Sequence, residues 1–335
     1  MADIQQGVVA GAKSPFVSTG RMPSPGLVGQ LVAEAHERYR TNNDGESSDV
    51  YPALRRVPSD LFGICVTGVE GTVHTAGDTD TELTIMSVAK PFVYALVCDL
   101  LGRDELRRLV GANATGLPFN SVEAVEQSSD GRTNPMVNSG ALAVTSLVPG
   151  ADVEERWTFL RDGLSRFAGR SLTLSDEVFR SATATNHRNQ GLARLLQSLD
   201  RLYADPAEAV DLYTRQSCIG VTARDLALMA ATLANSGVNP LTHERVVEAE
   251  SCHCTLAVMT TAGLYETSGD WLYDIGLPGK SGIGGGIVTV APGKGGLGTF
   301  APRLDEAGNS VKGQLAAAFL SRRLGLDLFA SEPLT

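Results

Sequence analysis

Basic residues, cysteines and long apolar runs are all scarce in this chain of 335 residues. Lysine and arginine number 28 against 38 acids, giving a formal net charge of -10 with the acids spread along the sequence. That balance excludes the electrostatic footprint of a nucleic-acid binder and of a protein drawn to anionic lipid. No apolar run approaches the roughly 20 residues that a membrane helix needs, so no membrane partner is expected. Residues Met1–Gln6 carry neither a basic region nor an apolar core, so no export signal is expected. Five cysteines, an odd number in a long chain, read as reduced thiols in the cytoplasm rather than as a disulfide framework. Cys252-His253-Cys254 has metal-ligand types but no second pair at suitable spacing, so neither metal nor cofactor is expected. What the chain does have is 43% hydrophobic residues, enough to bury a large core in one or two subdomains.

The most informative stretch is Ser87-Val88-Ala89-Lys90, followed by Pro91. Residues three apart on a helix share a face, so the Lys90 amine can reach the Ser87 hydroxyl. Pro91 sets these residues in the first turn of a helix, where proline is tolerated. The apolar run Phe92–Val97 then drives that helix into the core. Such a serine has a basic partner for its proton and the positive end of a helix dipole beside any oxyanion. Ser-x-x-Lys is the nucleophile signature of penicillin-recognising acyl-enzymes, and alone it is weak. The same signature calls for a downstream Lys-Thr-Gly element. Lys280-Ser281-Gly282 supplies it with serine for threonine. Gly279-Lys280-Ser281 also imitates the end of a phosphate-binding loop, but Asp274 stands where that loop needs glycine and no helix pattern follows.

Periodicity sketches the rest. Residues 24–40 read as an amphipathic helix, 41–49 as a polar linker, and 61–67 and 72–75 as strands joined by a turn. From about 100 to 257 the pattern is mostly helical. The last quarter returns to strands at Leu272–Ile275, Gly286–Ala291 and Leu297–Ala301, then ends in a helix over Val311–Leu324. This predicts an α+β fold, an antiparallel sheet flanked by terminal helices plus an all-helical subdomain. Residues 1–99 and 258–335 form the first part and 100–257 the second, with the active site in the cleft between them.

Longer strings narrow the reading. They include Asn134-Pro135-Met136-Val137-Asn138-Ser139-Gly140-Ala141, His187-Arg188-Asn189, Gly276–Gly282 and Gly308-Asn309-Ser310-Val311-Lys312-Gly313. With Ser87–Pro91, and from about Leu27 to Leu328, the chain resembles the serine-dependent glutaminases of the β-lactamase-like superfamily, which hydrolyse L-glutamine to L-glutamate and ammonia. The resemblance implies Ser87 as nucleophile, Lys90 as acceptor of its proton, and Tyr265 as a proton shuttle to the leaving ammonia. It implies an oxyanion hole from the backbone N–H groups of Ser87 and Ile283, and substrate contacts from Asn138, Asn189, Tyr213 and Lys280. Read without the resemblance, Asn138 and Asn189 are also helix caps and Tyr213 a core aromatic. A cytoplasmic homodimer or homotetramer is expected.

Two positions depart from the family pattern. Asp49-Val50-Tyr51-Pro52 stands where the family has Asp-Tyr-Ile-Pro, which in an extended segment turns the tyrosine to the opposite face. Ala182 stands where the family has a glutamate that pairs with the substrate α-ammonium, and Asp176 and Glu177 are out of register to replace it. Three functions follow: a glutaminase, in full or weakened form; a serine amidohydrolase acting on an N-blocked or other amide; and a binding protein on the same fold. The paired nucleophile and base argue against the third.

Overall fold

The computed structural model describes residues 20–330, so the opening residues Met1–Gln6 lie outside the described residues. The chain begins with α1 (Pro25–Tyr39), β1 (Glu46–Ser47), β2 (Gly63–Gly68), β3 (Val73–Gly77) and β4 (Leu83–Thr84). Helices follow: α2 (Ala89–Leu101), α3 (Arg103–Val110), α4 (Glu123–Glu126), α5 (Asn138–Thr145), α6 (Val153–Ala168), α7 (Asp176–Thr185), α8 (His187–Ser198) and α9 (Pro206–Ser217). After β5 (Gly220–Val221) come α10 (Ala223–Ala234), α11 (Ala249–Ala262) and α12 (Ser268–Ile275). The chain closes with β6 (Gly279–Ser281), β7 (Gly286–Ala291), β8 (Gly295–Phe300), β9 (Arg303–Leu304) and α13 (Val311–Leu324).

Five strands form an antiparallel sheet in the order β3-β2-β8-β7-β6, so both ends of the described chain contribute to it. Alternation along the strands divides their side chains between two cores. Ile64 and Val66 of β2 and Ile287 of β7 pack with Val28, Leu31 and Val32 of α1 and Ala316, Ala317 and Leu320 of α13. Cys65, Val288 and Val290 point the other way, into a core with Leu226, Ala227 and Ala230 of α10. Helix α10 lies directly on β8 because Gly296 and Gly298 face it. A Cβ on either would come within 2.4 Å of α10 backbone atoms. This is the α+β arrangement the sequence predicts.

Several boundaries differ from expectation. Leu272–Ile275 lies in helix α12, not in a strand. Trp271 and Ile275 are buried four residues apart, which is helical spacing, and so short an apolar run does not distinguish the two states. Part of the polar linker is ordered as β1, paired with β9 through Glu46↔Leu304 and Ser47↔Arg303. Cys252 and Cys254 are free thiols within α11. Among the described residues no helix is long and apolar enough to cross a membrane.

Gly140 shows how closely α5 is packed by the loop that leads into it. A Cβ there would lie 1.9 Å from the Asn134 carbonyl oxygen, a backbone atom that cannot swing aside. Gly140→Ala is therefore expected to destabilise the fold at the upper end of the roughly 1–3 kcal/mol that overpacking costs. Urea unfolding measures it, and an unchanged midpoint would refute this tight approach.

Candidate active site

The chain enters α2 through a turn of 3₁₀ helix, Met86–Val88, that holds Ser87. Met86 has φ 48°, a left-handed conformation rare for a side chain of its kind. It is locked there by packing against Leu54, Ile283 and Leu304. Strain of this type persists only where surroundings enforce it, and it gathers at functional turns. The turn leaves the Ser87 backbone N–H without a backbone carbonyl partner among the described residues, as is also true of the Ile283 N–H. Edge strand β6 and the turn after it come right up to this amide. A Cβ on Gly282 would be 3.2 Å from the Ser87 nitrogen, so glycine is what allows the approach.

Lys90 follows in the first turn of α2, 2% exposed. Its amine donates to the Met136 carbonyl at 3.2 Å and to Asn138 Oδ1 at 2.7 Å. Burial brings its pKa down to about 7, because a desolvated ammonium loses its hydration and no carboxylate stands by to replace it. Lys280, on β6, is fully buried, with Nζ 4.1 Å from the centroid of the Tyr265 ring and donating to the Ser281 carbonyl at 2.7 Å. Burial, and then the neighbouring Lys90, push its pKa well down. The chain has only five lysines among its 28 basic residues. Two of them sit here, where an amine can become neutral and a guanidinium cannot.

Tyr265 is held at φ 61° between α11 and α12. Its hydroxyl donates to the Ser281 carbonyl at 3.2 Å, and its ring lies 4.7 Å from that of Phe119. Burial raises the phenol to about 12, while the nearby Ser87 hydroxyl pulls the other way. Tyr213, on α9, is raised well above its ordinary value by burial, with the nearby Ser87 hydroxyl pulling the other way. Its own hydroxyl donates to Asn138 Oδ1 at 3.0 Å. Asn138 Nδ2 in turn donates to Asn189 Oδ1 at 2.9 Å. Neither asparagine caps a helix, the alternative left open by sequence: both lie inside helices, with their side chains turned toward one another. The structure thus brings together Ser87, Lys90, Asn138, Asn189, Tyr213, Tyr265, Lys280 and Ile283.

The expected displacement of Tyr51 is corrected. Residues 50–53 bend into a turn, with Leu54 N–H donating to the Tyr51 carbonyl, so the two-residue alternation of an extended strand does not apply. Val50 is 48% exposed, whereas Tyr51 packs beside Met86 and Ile283 and its phenol is pushed to about 12, mainly by burial. Ala182 is buried on α7, one turn before Asn186. The out-of-register Glu177 does not replace a carboxylate there, since it is held outside by Arg56. Asp305, whose charge reaches Tyr265, is occupied by the Asn309 N–H and the Gln314 side chain.

Other residues of the site carried no separate signal in the sequence. Phe119 borders an open cleft of about 1030 Å³ that also meets Val50, Gly308 and the expected Ile283. Asn309 accepts from the Ser281 hydroxyl and donates to Thr267, bracing β6 against the segment that carries Tyr265. Asn309 lay within one of the quoted strings, but nothing there distinguished it from its neighbours.

Comparison with known proteins points one way. The family model for glutaminase matches residues 45–329. The chain is 66% identical over 320 residues to Glutaminase 2 of Yersinia pestis, covering 96% of this chain and 94% of that protein. It is 46% identical over 300 residues to a glutaminase of Mycobacterium ulcerans, covering 90% and 94%. Among solved structures, the probable glutaminase ybaS superposes with a TM-score of 0.90 at 42% identity, over 92% of this chain and 100% of that one. A probable glutaminase from Bacillus subtilis, complexed with 6-diazo-5-oxo-L-norleucine, gives a TM-score of 0.82 at 30% identity, over 90% and 97%.

Proposed function

The chain belongs to the glutaminase family, and from that premise we propose that it releases ammonia from L-glutamine through an acyl-enzyme on Ser87. The observation that carries the mechanism is the burial and hydrogen bonding of the Lys90 amine. A neutral amine has two N–H bonds and one lone pair, and two acceptors, the Met136 carbonyl and Asn138 Oδ1, take the two N–H bonds. The lone pair is left to accept the Ser87 proton. Ser87 Oγ then attacks the side-chain amide carbon of the substrate. The N–H groups of Ser87 and Ile283, both without backbone partners, hold the oxyanion. Tyr265 passes the proton to the leaving nitrogen, ammonia departs, and water hydrolyses the ester to glutamate by the reverse proton route. Lys280, whose amine lies over the Tyr265 ring, keeps that phenol in place, and in this reading it contacts the substrate.

In this reading Asn138, Asn189 and Tyr213 hold the amino-acid end of the substrate, in a cleft between a sheet-bearing part (1–99 and 258–335) and a helical part (100–257). The place of work is the cytoplasm and the assembly a homodimer or homotetramer, which sedimentation velocity tests. The test of substrate is ammonia release from L-glutamine beside L-asparagine and N-acetylglutamine. No release from glutamine or from any other ω-amide refutes the reading.

One observation favours a second substrate class. Among the described residues no carboxylate is hydrogen bonded or ion paired to the clustered side chains, and Ala182 brings a methyl group where an α-ammonium needs a charge. A carboxylate on an ammonium contributes roughly 1.5–3 kcal/mol, so its absence weakens glutamine binding by about ten- to a hundredfold. The chemical step suffers less, since the ammonium is bound alike in ground and transition states. The expected result is a high KM for glutamine, poor discrimination against N-acetylglutamine, and a lower KM for glutamine in Ala182→Glu. A wild-type KM that is already low, with no gain from Ala182→Glu, shows that another group receives the ammonium.

A further inference from the structure

Behind Lys90 a single file of buried side chains passes hydrogen bonds in one direction only. Lys90 Nζ donates to Asn138 Oδ1 at 2.7 Å, Asn138 Nδ2 to Asn189 Oδ1 at 2.9 Å, and Asn189 Nδ2 to Asn186 Oδ1 at 2.6 Å. Asn186 Nδ2 then donates to Thr214 Oγ1 at 2.7 Å, and Thr214 commits its own hydrogen to the Val210 carbonyl at 2.6 Å. Every member is at most 7% exposed, and Asn186 and Thr214 at the far end also line a pocket of about 380 Å³. The file also closes on itself. Tyr213, next to Thr214 on α9, donates to the same Asn138 oxygen that Lys90 uses.

The ends of an asparagine amide have nearly the same size, so packing does not decide which way it faces; hydrogen bonds do. With its hydrogen spent on Val210, Thr214 offers Asn186 only lone pairs, which turns the Asn186 amine toward it and the Asn186 carbonyl toward Asn189. The same choice is forced at Asn189 and then at Asn138, whose carbonyl ends on Lys90. Reversing Asn138 would point an N–H at the lysine and cap the lone pair. We propose that Asn186 and Thr214 are positioning residues that fix, through Asn189 and Asn138, the direction of the lone pair on Lys90. The inference rests on the reading of Lys90 as the acceptor of the Ser87 proton. Besides Asn138, the groups that face Lys90 are the Met136 carbonyl, the Tyr213 ring at 5.9 Å and Lys280.

The test is Thr214→Val, which keeps shape and removes the acceptor, with Thr214→Ser as the conservative control. In Thr214→Val, kcat falls by about ten- to a hundredfold, a share of the roughly 10²–10⁴ that general acid–base catalysis contributes. The acid limb of kcat/KM moves to lower pH, because an amine that receives an N–H in place of a carbonyl holds its proton less well. Thr214→Ser restores both. If Thr214→Val does not fold, Asn186→Leu carries the same two expectations. A merely structural role lowers the active fraction and the melting temperature but leaves the acid limb where it was. Wild-type kcat in the folded variant, or a loss of kcat with an unmoved limb, overturns the proposal. Ser87→Ala is assayed alongside. Activity surviving there overturns the acyl-enzyme reading whatever Thr214 does, whereas an inactive Ser87→Ala beside a normal Thr214→Val overturns the relay alone.

Discussion

Ser87→Ala is expected to lose amide hydrolysis by about a thousandfold or more, because what survives removal of a nucleophile is the contribution of binding and of the oxyanion donors. The folded state should barely notice. Ser87 is buried, and the phenols of Tyr213 and Tyr265 have hydrogen-bond partners of their own in Asn138 and the Ser281 carbonyl. Ammonia release at saturating glutamine measures the loss, and the melting temperature measures the fold. With hydroxylamine present, the wild type should divert its acyl group to the hydroxamate while the variant makes none. If the alanine variant retained a tenth of the activity, a serine ester could not lie on the main path.

Lys90→Arg is expected to be nearly as inactive as Lys90→Ala. Arginine keeps the positive charge and the capacity to donate to Met136 and Asn138, but it cannot give up its proton, so it separates an electrostatic role from a proton-accepting one. The same logic fixes the pH dependence of the wild type. Burial lowers Lys90 to about 7. Below that pH the ammonium form predominates and has no lone pair to accept the serine proton. Above it the amine predominates and the rate reaches a plateau. The acid limb of kcat/KM should therefore lie near pH 7, about three units below an ordinary lysine. An active Arg variant, or a limb near pH 4–5 where carboxylates titrate, would falsify the assignment of Lys90 as base.

The legibility of this site followed how local each relation was. Ser87 and Lys90 could be paired from the sequence because three residues of helix place them on one face, and Pro91 marked where that helix starts. Lys280 was found because its neighbours Gly279, Ser281 and Gly282 belong to one contiguous edge strand and turn. Tyr265, Asn138, Asn189 and Tyr213 came from strings shared with a family, since a lone tyrosine or asparagine reads equally well as a cap or as core. Tyr51 was misplaced because alternation assumes an extended backbone, and this segment bends. Helix α12 was taken for a strand because four residues of apolar sequence fit either period.

The amino-acid sequence by itself determined most element types, the family and the placing of a serine and a lysine one turn apart. Those depend on neighbours in the chain and on side-chain period. Only the tertiary structure decided what state those groups are in. Lys90 is brought down to about 7 because α2 is buried against α5, and Lys280 is pushed well down by its burial on β6 and then by the neighbouring Lys90. Asn186 and Thr214 acquire a relation to Lys90 only when α5, α8 and α9 meet around three amides. Desolvation and hydrogen-bond direction are set by atoms distant in sequence, and so they become visible only once the chain is folded.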